Sequence, residues 1–140
     1  MKVYLDPGAR MPEKAHDLDA GYDLFALNSV VIPPGEGRII ETGVHMEIPK
    51  GYCGVLVSKS GLNVNYNLTS TGLIDSGYKN AIKVKLYNQG KTSQLMRSGW
   101  KCSQIVILPI SLDGLEKVES LEEFADSERG MNGFGSSGVK

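Results

Sequence analysis

An acid and an aromatic residue stand close together in one short stretch of the sequence. Asp75 is followed three residues later by Tyr78, with Gly77 between them. An ionised carboxylate within reach of a water molecule can take its proton as that water attacks, and a tyrosine ring can lie against a sugar or a base. Asp75 is therefore the candidate general base, and Tyr78 is the candidate wall of a pocket for a small planar ligand. A turn-capping aspartate and an ordinary hairpin aromatic are the structural alternatives.

The run Ser58–Leu62 has the composition of a polar, anion-binding loop after a buried strand. Lys59 offers a cation, Ser60 a hydroxyl and Gly61 an unencumbered backbone amide, and these groups together suit an anion. As a motif this run is weak on its own.

The C-terminal stretch from Arg129 to Gly138 is more specific. Its Gly-x-Gly amides and the hydroxyls of Ser136 and Ser137 can wrap a phosphate, while Phe134 can cover an aromatic base. It is not a Walker loop, because no Gly-Lys-Ser/Thr ending leads into a helix. The composition of residues 129–140 cannot pack a core, so this arm is expected to be mobile by itself. A flexible tag-like tail is the alternative.

Two polar residues interrupt apolar strands. Asp23 lies within Ala20–Ala26, and an acid there needs a partner. A hydrated Mg²⁺ is one candidate, and a backbone group or an arginine is the structural alternative. Gln104 precedes Ile105–Ile107, where its side chain can reach a phosphate or satisfy a neighbouring backbone group.

Other kinds of metal and nucleophile chemistry lack support in the sequence. His16 and His45 are the only histidines, and neither is grouped with cysteine or glutamate in a zinc spacing. Zinc-dependent deamination and a Ser-His-Asp triad therefore have no signature, and both histidines are expected to be surface or packing residues. Cys53 and Cys102 show no C-x-x-C pattern, which favours two reduced, half-buried thiols over a disulfide.

These candidate residues must be positioned by a chain that is mostly β-structured. Apolar side chains alternate with lysines from Ile82 to Tyr87, which is the period of a half-buried strand. Together with a shorter apolar run before Asp75, this strand predicts a β-hairpin that presents the acid at its bend on a rigid two-stranded support. Ser120–Phe124 is the one predicted helical turn. Other short apolar runs between Pro- and Gly-containing turns predict an all-β sandwich or jelly roll, with strands near residues 3–5, 23–26, 30–32, 38–41, 44–48, 55–57 and 102–110.

Length and charge limit the class of protein. At 140 residues one domain is the default, here residues 1–128 followed by the arm 129–140. A net charge of -1 and a pI of about 6.1 lack the basic footprint of a dedicated nucleic-acid binder. No apolar run has the length of a signal peptide or a membrane span. A cytoplasmic protein without nucleic-acid or membrane partners is expected.

Taken together, five segments resemble, in order and spacing, the motifs of the trimeric deoxyuridine triphosphatase (dUTPase) family. The resemblance spans about residues 20 to 138, and its segments are Ala20–Leu24, Lys59–Leu62, Gly72–Tyr78, Arg97–Gln104 and Arg129–Gly138. It implies a jelly-roll subunit, a distorted β-clip-like barrel, that assembles as a homotrimer. It also implies Mg²⁺-dependent hydrolysis of dUTP to dUMP and pyrophosphate, which limits uracil incorporation into DNA and supplies dUMP for thymidylate synthesis. In this family the active sites are shared: motifs one, two and four come from one subunit, motif three from a second, and motif five closes from the third as a lid.

The resemblance also implies a role for each site residue. Asp75 would activate the water that attacks the α-phosphorus, Tyr78 would stack beneath the deoxyribose and exclude a 2′-hydroxyl, and Asp23 would hold Mg²⁺ through a water. The residues implied around uracil are Thr69, Gly72, Leu73, Ile74, Lys83 and the covering Phe134. Those implied around the phosphates are Lys59, Ser60, Gly61, Gln104, Arg129, Ser136 and Ser137.

Three positions depart from the family pattern. Lys59 stands where an arginine is frequent, which replaces a planar fork with a point charge. Lys79-Asn80 replaces the usual residue-glycine pair, and asparagine is expected to tolerate a positive φ there. Trp100-Lys101 replaces an acidic-arginine pair and is expected to affect local packing more than catalysis. A dCTP deaminase-class enzyme and a non-catalytic nucleotide sensor on the same fold are the alternatives; the former needs a glutamate at the base, and none lies between residues 48 and 115.

Overall fold

The computed structural model describes residues 1–127 and 130–131 of the chain. Within these residues it is built from ten strands, one short α-helix and one 3₁₀ turn, so the all-β prediction is confirmed. The elements are β1 (Val3–Leu5), β2 (Gly21–Phe25), β3 (Val30–Ile32), β4 (Gly37–Glu41), β5 (Val44–Met46), β6 (Tyr52–Val57), α1 (Ser60–Tyr66), β7 (Leu68–Ile74), β8 (Lys83–Asn88), β9 (Gln94–Met96), β10 (Lys101–Pro109) and the 3₁₀ turn (Leu121–Glu123).

One curled antiparallel sheet contains most of the strands. Its strand order is β2-β10-β6-β7-β8-β4, and the ladders β1-β5 and β3-β9 flank it. Many neighbours are distant in sequence, as in a jelly roll, which is the predicted architecture. The long strand β10 lies between β2 and β6. This central position brings residues from three separate motifs side by side.

The core is formed by the inward faces of these strands. Ile82, Val84 and Leu86 are buried while the lysines between them are exposed, so the predicted alternation of this strand is confirmed. Burying each such side chain contributes about 1.5–3 kcal/mol. Gly54 on β6 cannot carry a side chain, because a Cβ atom there would lie 2.6 Å from Cδ1 of Ile105.

The predicted hairpin is formed only at its base. Leu68–Ser70 pair with Leu86–Asn88, whereas the following part of β7 pairs with β6, ending with Ile74 opposite Gly54. The two strands therefore diverge, and residues 75–82 form a wide loop between them. A continuous two-stranded support for the acid was the wrong expectation, because the outer half of β7 takes its backbone hydrogen bonds from another strand.

Two elements were absent from the sequence prediction. Helix α1 occupies the stretch expected to be a polar loop; none of its residues is buried, and no side chain caps its first turn. It ends at Asn67, whose φ of 53° is left-handed and whose N–H bonds back to Asn63 and Leu62. Strand β9 exists only through its three-residue ladder with β3. Neither element carries the periodicity on which sequence prediction relies.

The remaining structural predictions concern the helical turn near the C-terminus, the two cysteines, membrane-spanning segments and the domain boundary. The 3₁₀ turn lies inside the predicted Ser120–Phe124 segment and has a capping box between Ser120 and Glu123. Cys53 and Cys102 are both free, and both are fully buried instead of half-buried. No helix in the described part of the chain is long and apolar enough to cross a membrane. The predicted boundary between residues 128 and 129 lies outside the described residues.

Candidate active site

The candidate base and its aromatic neighbour share a tight turn at the end of β7. The Tyr78 N–H donates to the Asp75 carbonyl at 3.3 Å, and Gly77 takes a φ of +85°, the conformation that favours glycine in such turns. Asp75 is exposed, and 39% of Tyr78 is exposed. Asn80 does not use the positive φ that an asparagine tolerates, and the left-handed residue of this loop is Gly77.

The residues implied around uracil lie along β7 and at the start of β8. Leu73 is 62% exposed, and Gly72 packs so closely on Leu56 that an added Cβ atom would stand 3.0 Å from its Cδ1. Lys83 pairs with Glu41 at 3.1 Å. Thr69 lies six residues before Asp75 on an extended strand, which separates the two by about 20 Å. One chain therefore does not bring Thr69 to the acid.

Asp23 is the most constrained charge in the described residues. It lies in the middle of β2 with 4% exposure, and its two carboxylate oxygens contact two ammonium groups. Lys59 Nζ contacts Oδ1, and Lys101 Nζ lies 2.7 Å from Oδ2. The backbone of Glu13 forms an isolated bridge with Asp23 as well. The carboxylate therefore has two lysines as its partners, in place of the backbone group or arginine that was the structural alternative.

Lys101 connects one of the family departures directly to this acid. Its hydrogen bond to Asp23 raises the pKa of the ammonium group, and attraction to Glu13 adds to the shift. The Glu13 carboxylate lies 3.8 Å from Lys101 Nζ. The Trp100-Lys101 departure therefore bears on Asp23 as well as on local packing: a lysine in place of an arginine keeps the positive charge but contacts the carboxylate as a point charge instead of a planar fork.

Strand register explains why the phosphate candidates lie together. On β10, Gln104 stands opposite Asp23 on one side and opposite Val57 on the other. Its Nε2 donates to the Ser58 carbonyl at 3.3 Å, next to Lys59. Ser60 and Gly61 begin α1, where nothing lies within 4 Å of a Cβ atom built on the glycine. Ser60 and Gly61 are thus exposed at one end of β6, whereas the Lys59 ammonium contacts Asp23.

A chain of serine hydroxyls lies beneath this end of β6, and sequence reasoning missed it. Ser70 Oγ and Ser103 Oγ are 2.9 Å apart, and the Ser70 N–H donates to Ser58 Oγ at 2.9 Å. Ser103 is fully buried and donates to the Val57 carbonyl. These bonds fix the position of the backbone that enters the phosphate loop. Serines in otherwise apolar strands were the available signal.

The candidate base and the phosphate candidates lie at opposite ends of one ladder. Asp75 follows Ile74, which pairs with Gly54 near the start of β6, whereas Lys59 follows the end of β6 at Val57. Six residues of largely extended chain separate these positions, or about 15 to 20 Å. A single subunit therefore does not place the acid beside the phosphate loop. The candidates Arg129, Phe134, Ser136 and Ser137 lie outside the described residues.

The comparisons with known proteins agree with this fold and residue pattern. A family model described as dUTPase matches residues 8–138. A deoxyuridine 5′-triphosphate nucleotidohydrolase of Clostridium acetobutylicum is 40% identical over 139 residues, covering 97% of this chain and 94% of the relative. The dUTPase of Staphylococcus bacteriophage 80alpha, solved with dUPNHPP, superposes with a TM-score of 0.91 at 36% identity and covers 99% of this chain and 98% of that one.

A second similar structure is of a protein that coordinates a metal ion. A mutant dUTPase from phage phi11 of S. aureus, described as coordinating a structural Mg(II) ion, has a TM-score of 0.81 and 34% identity and covers 86% of this chain and 97% of that one. The fold and these matches define the class of protein, an all-β nucleotide hydrolase. The chain belongs to the dUTPase family.

Proposed function

We propose that this chain hydrolyses dUTP to dUMP and pyrophosphate, with Asp75 as general base and the Asp23–Lys59–Gln104 cluster as the phosphate-binding end of the site. Family membership supports the reaction. The observation that supports the residue assignment is the β10 register, which places Gln104 beside Asp23 and next to the loop that carries Lys59. Asp75 would take a proton from the water whose oxygen bonds to the α-phosphorus as pyrophosphate leaves.

Tyr78 would select the sugar. Its ring is partly exposed and belongs to the same turn as Asp75, so a deoxyribose resting on the ring lies close to the acid. A 2′-hydroxyl would have to occupy the space that the ring fills. Uracil would be bound along the end of β7, at Gly72, Leu73 and Ile74. Cytosine would be rejected there, because a site built to bond uracil leaves buried groups unpaired with cytosine.

The remaining assignments follow the family motifs. Ser60, Gly61 and Gln104 would hold the α- and β-phosphates. Arg129, Ser136 and Ser137 would hold the γ-phosphate. Phe134 would cover the base, and Thr69 and Lys83 would assist in uracil recognition. Arg129, Phe134, Ser136 and Ser137 would complete a site that the described part of one chain leaves open to solvent.

Mg²⁺ fits the donor set if most of its ligands come from the substrate. The described residues contain no group of three carboxylate, histidine or cysteine side chains that could cage a metal. Asp23 is a single buried carboxylate whose two oxygens already contact lysine ammonium groups, so it could serve only an ion that takes waters and phosphate oxygens as its main ligands. Asp23 would hold such an ion through a water. Bound there, the ion supplies charge neutralisation for the triphosphate.

A homotrimer with shared sites resolves the separation within one chain. Asp75 and Lys59 are about 15 to 20 Å apart along β6, so a second subunit would bring its turn to the phosphate loop of the first. The segment after β10 also exposes large apolar side chains, which a neighbouring subunit would cover. These side chains are Leu112, Leu115, Leu121 and Phe124. The arm 129–140 would then reach a third subunit, and the cytoplasm would be the site of action.

Substrate competition tests the reaction. Purified protein is assayed with dUTP, dCTP, dTTP and UTP side by side, with Mg²⁺ and with a chelator. We expect pyrophosphate and dUMP from dUTP, with the highest rate in the presence of Mg²⁺. Ammonia release from dCTP would instead favour the deaminase class.

Complementation tests the shared site. Asp75→Asn protein and protein truncated before Arg129 are each expected to be nearly inactive, but they lack different parts of the site. Unfolding and refolding the two together should restore activity, because each mixed trimer contains one complete site. Refolding each variant alone is the control. A mixture that stays inactive despite forming mixed trimers would contradict sharing.

A further inference from the structure

His45 is bound on both ring nitrogens, unlike the surface or packing residue that was expected. It lies in β5 opposite Tyr4 of β1. Its Nδ1 lies 2.7 Å from the Lys79 carbonyl oxygen, and its Nε2 lies 3.2 Å from Oδ1 of Asp6. His16, in contrast, has an 83% exposed side chain and fits the expectation.

Both partners of the His45 ring are acceptors. A backbone carbonyl and an ionised carboxylate can only accept, so the ring satisfies both only when each nitrogen carries a proton. The Lys79 carbonyl is the largest cause of a raised pKa for His45, and Asp6 raises it further, against the opposing effect of burial. A neutral ring would donate to one partner and turn a lone pair towards the other.

The bond to Lys79 holds the middle of the loop that carries the candidate base. The end of this loop is fixed to the β5 region, since Ile82 N–H donates to the Val44 carbonyl at 2.8 Å and Thr42 Oγ1 donates to the Ile82 carbonyl at 2.6 Å. The start of the loop is the Asp75–Tyr78 turn. Among the side-chain bonds of the described residues, the His45 contact is the one that reaches residues 76–81 from another element.

We propose that His45 is a positioning residue for the nucleoside pocket: its imidazolium fastens the Lys79 carbonyl to Asp6 and so holds the loop with Tyr78 in the conformation that receives deoxyribose. This proposal rests on the proposed function for its effect on dUTP. The contact itself lies in one subunit and is independent of substrate. The pocket wall would thus be set by a residue outside the five family motifs.

Other charged and titratable groups surround His45 on the elements packed against it. From β1 and its continuation come Lys2, Tyr4 and Asp6, from β5 and its continuation Glu47 and Lys50, and from the loop Tyr78 and Lys79. Lys2 and Glu47 pair with each other at 3.2 Å, and the Tyr4 ring meets His45 edge-on with centroids 5.3 Å apart. Asp6 is the carboxylate that contacts the ring, so it is the residue to vary.

A measurement without substrate tests the contact. Ring ¹⁵N spectra of the ligand-free full-length protein are recorded against pH, with resonances assigned from His45→Asn and His16→Asn. We expect His45 to titrate above the ordinary histidine value of about 6.5 and to titrate lower in Asp6→Asn. A midpoint at or below the ordinary value, or one unaffected by Asp6→Asn, would overturn the proposal.

Matched substitutions test the positioning role. His45→Leu removes both donors, whereas His45→Asn keeps an amide N–H close to the place of Nδ1. We expect His45→Leu to raise KM for dUTP roughly three- to tenfold, with kcat within about twofold and weaker discrimination against UTP. His45→Asn should restore only part of the KM, because it keeps a donor for the Lys79 carbonyl but none for Asp6, and His16→Asn should leave the KM unchanged. Thermal unfolding of each variant checks that the protein is folded at the assay temperature.

The pH profile separates positioning from a purely structural role. A group with a raised pKa makes its contact fully at low pH and loses it as pH rises through that pKa. The KM of the wild type should therefore rise as the pH passes through the pKa of His45. The KM of His45→Asn over the same pH range is the reference, because the substrate ionises in the same way with both proteins. A folded His45→Leu protein with wild-type KM and discrimination would overturn the proposal. If the wild type does not turn over dUTP, the proposed function fails, and the spectra alone decide whether His45 holds Lys79.

Discussion

Lys101 lies 2.7 Å from the second carboxylate oxygen of Asp23, while Lys59 contacts the first. The two lysines come from different motifs and meet on one buried acid because β10 is paired in register with β2 on one side and with β6 on the other. Both lysines are departures from the family pattern. The structure therefore links two substitutions that are 42 residues apart in the sequence.

Replacing Lys101 with methionine should lower stability and activity together. Asp23 would keep one cation and lose the other, which leaves part of a buried charge uncompensated. Because 37% of the Lys101 side chain is exposed, we expect the loss in unfolding free energy to be about 1 kcal/mol. Urea unfolding and dUTP turnover measure the two effects. Lys101→Arg is the matched control, and equal loss in that variant would show that charge is not the cause.

Asp75→Asn should abolish most activity without unfolding the protein. Removing a general base typically costs about 10² to 10⁴ in rate, and Asp75 is exposed, so its amide replacement disturbs little packing. Initial rates with dUTP and thermal unfolding are compared with those of Asp113→Asn, another exposed acid. Turnover near the wild-type rate would remove Asp75 from the role of base.

Tyr78→Ala should relax sugar selection. The ring is the proposed barrier to a 2′-hydroxyl, and such discrimination is worth about 1–3 kcal/mol. We expect the preference for dUTP over UTP in kcat/KM to fall about ten- to hundredfold. Tyr78→Phe should keep the preference, because the hydroxyl makes only a long 3.4 Å bond to the Ala81 carbonyl. An unchanged preference in Tyr78→Ala would place sugar selection elsewhere.

Truncation before Arg129 should leave the oligomer assembled and remove most of the rate. The deleted residues include the proposed γ-phosphate ligands and the proposed base cover, whereas the exposed apolar side chains at 112–124 remain. Light scattering gives the assembly mass and dUTP turnover gives the rate. Removal of Val139 and Lys140 alone is the control and should be neutral. A fully active truncated protein would exclude a catalytic role for the arm.

Cys102 should resist thiol reagents in the native protein. Burial raises the pKa of this thiol to about 12, so almost none is thiolate at pH 8, and the thiolate is the reactive form. Its reaction with a chromogenic disulfide should be slow in native protein and immediate after denaturation. Cys102→Ser identifies the thiol that reacts. Rapid native modification that is lost in Cys102→Ser would contradict this burial.

Local sequence patterns determined the strand class and the chemistry. The alternation of apolar residues and lysines around Ile82–Tyr87 predicts a half-buried strand because side chains of a strand point to opposite faces. Residue type alone indicates the chemistry of the Asp75 carboxylate, the Tyr78 ring and the polar run at Lys59–Gly61. Five such segments in order were enough to indicate the family.

Tertiary structure alone decided which of these residues meet. Strand β9 forms only through its ladder with β3, helix α1 packs Leu62 against the core, and both elements carry little periodicity of their own. Lys101 reaches Asp23, and His45 reaches Lys79, only because strands distant in sequence are paired in a particular register. Hydrogen bonds and ion pairs act over about 3 to 4 Å. The order of residues in the sequence does not specify such distances, because they are set by the pairing of strands in the folded sheet.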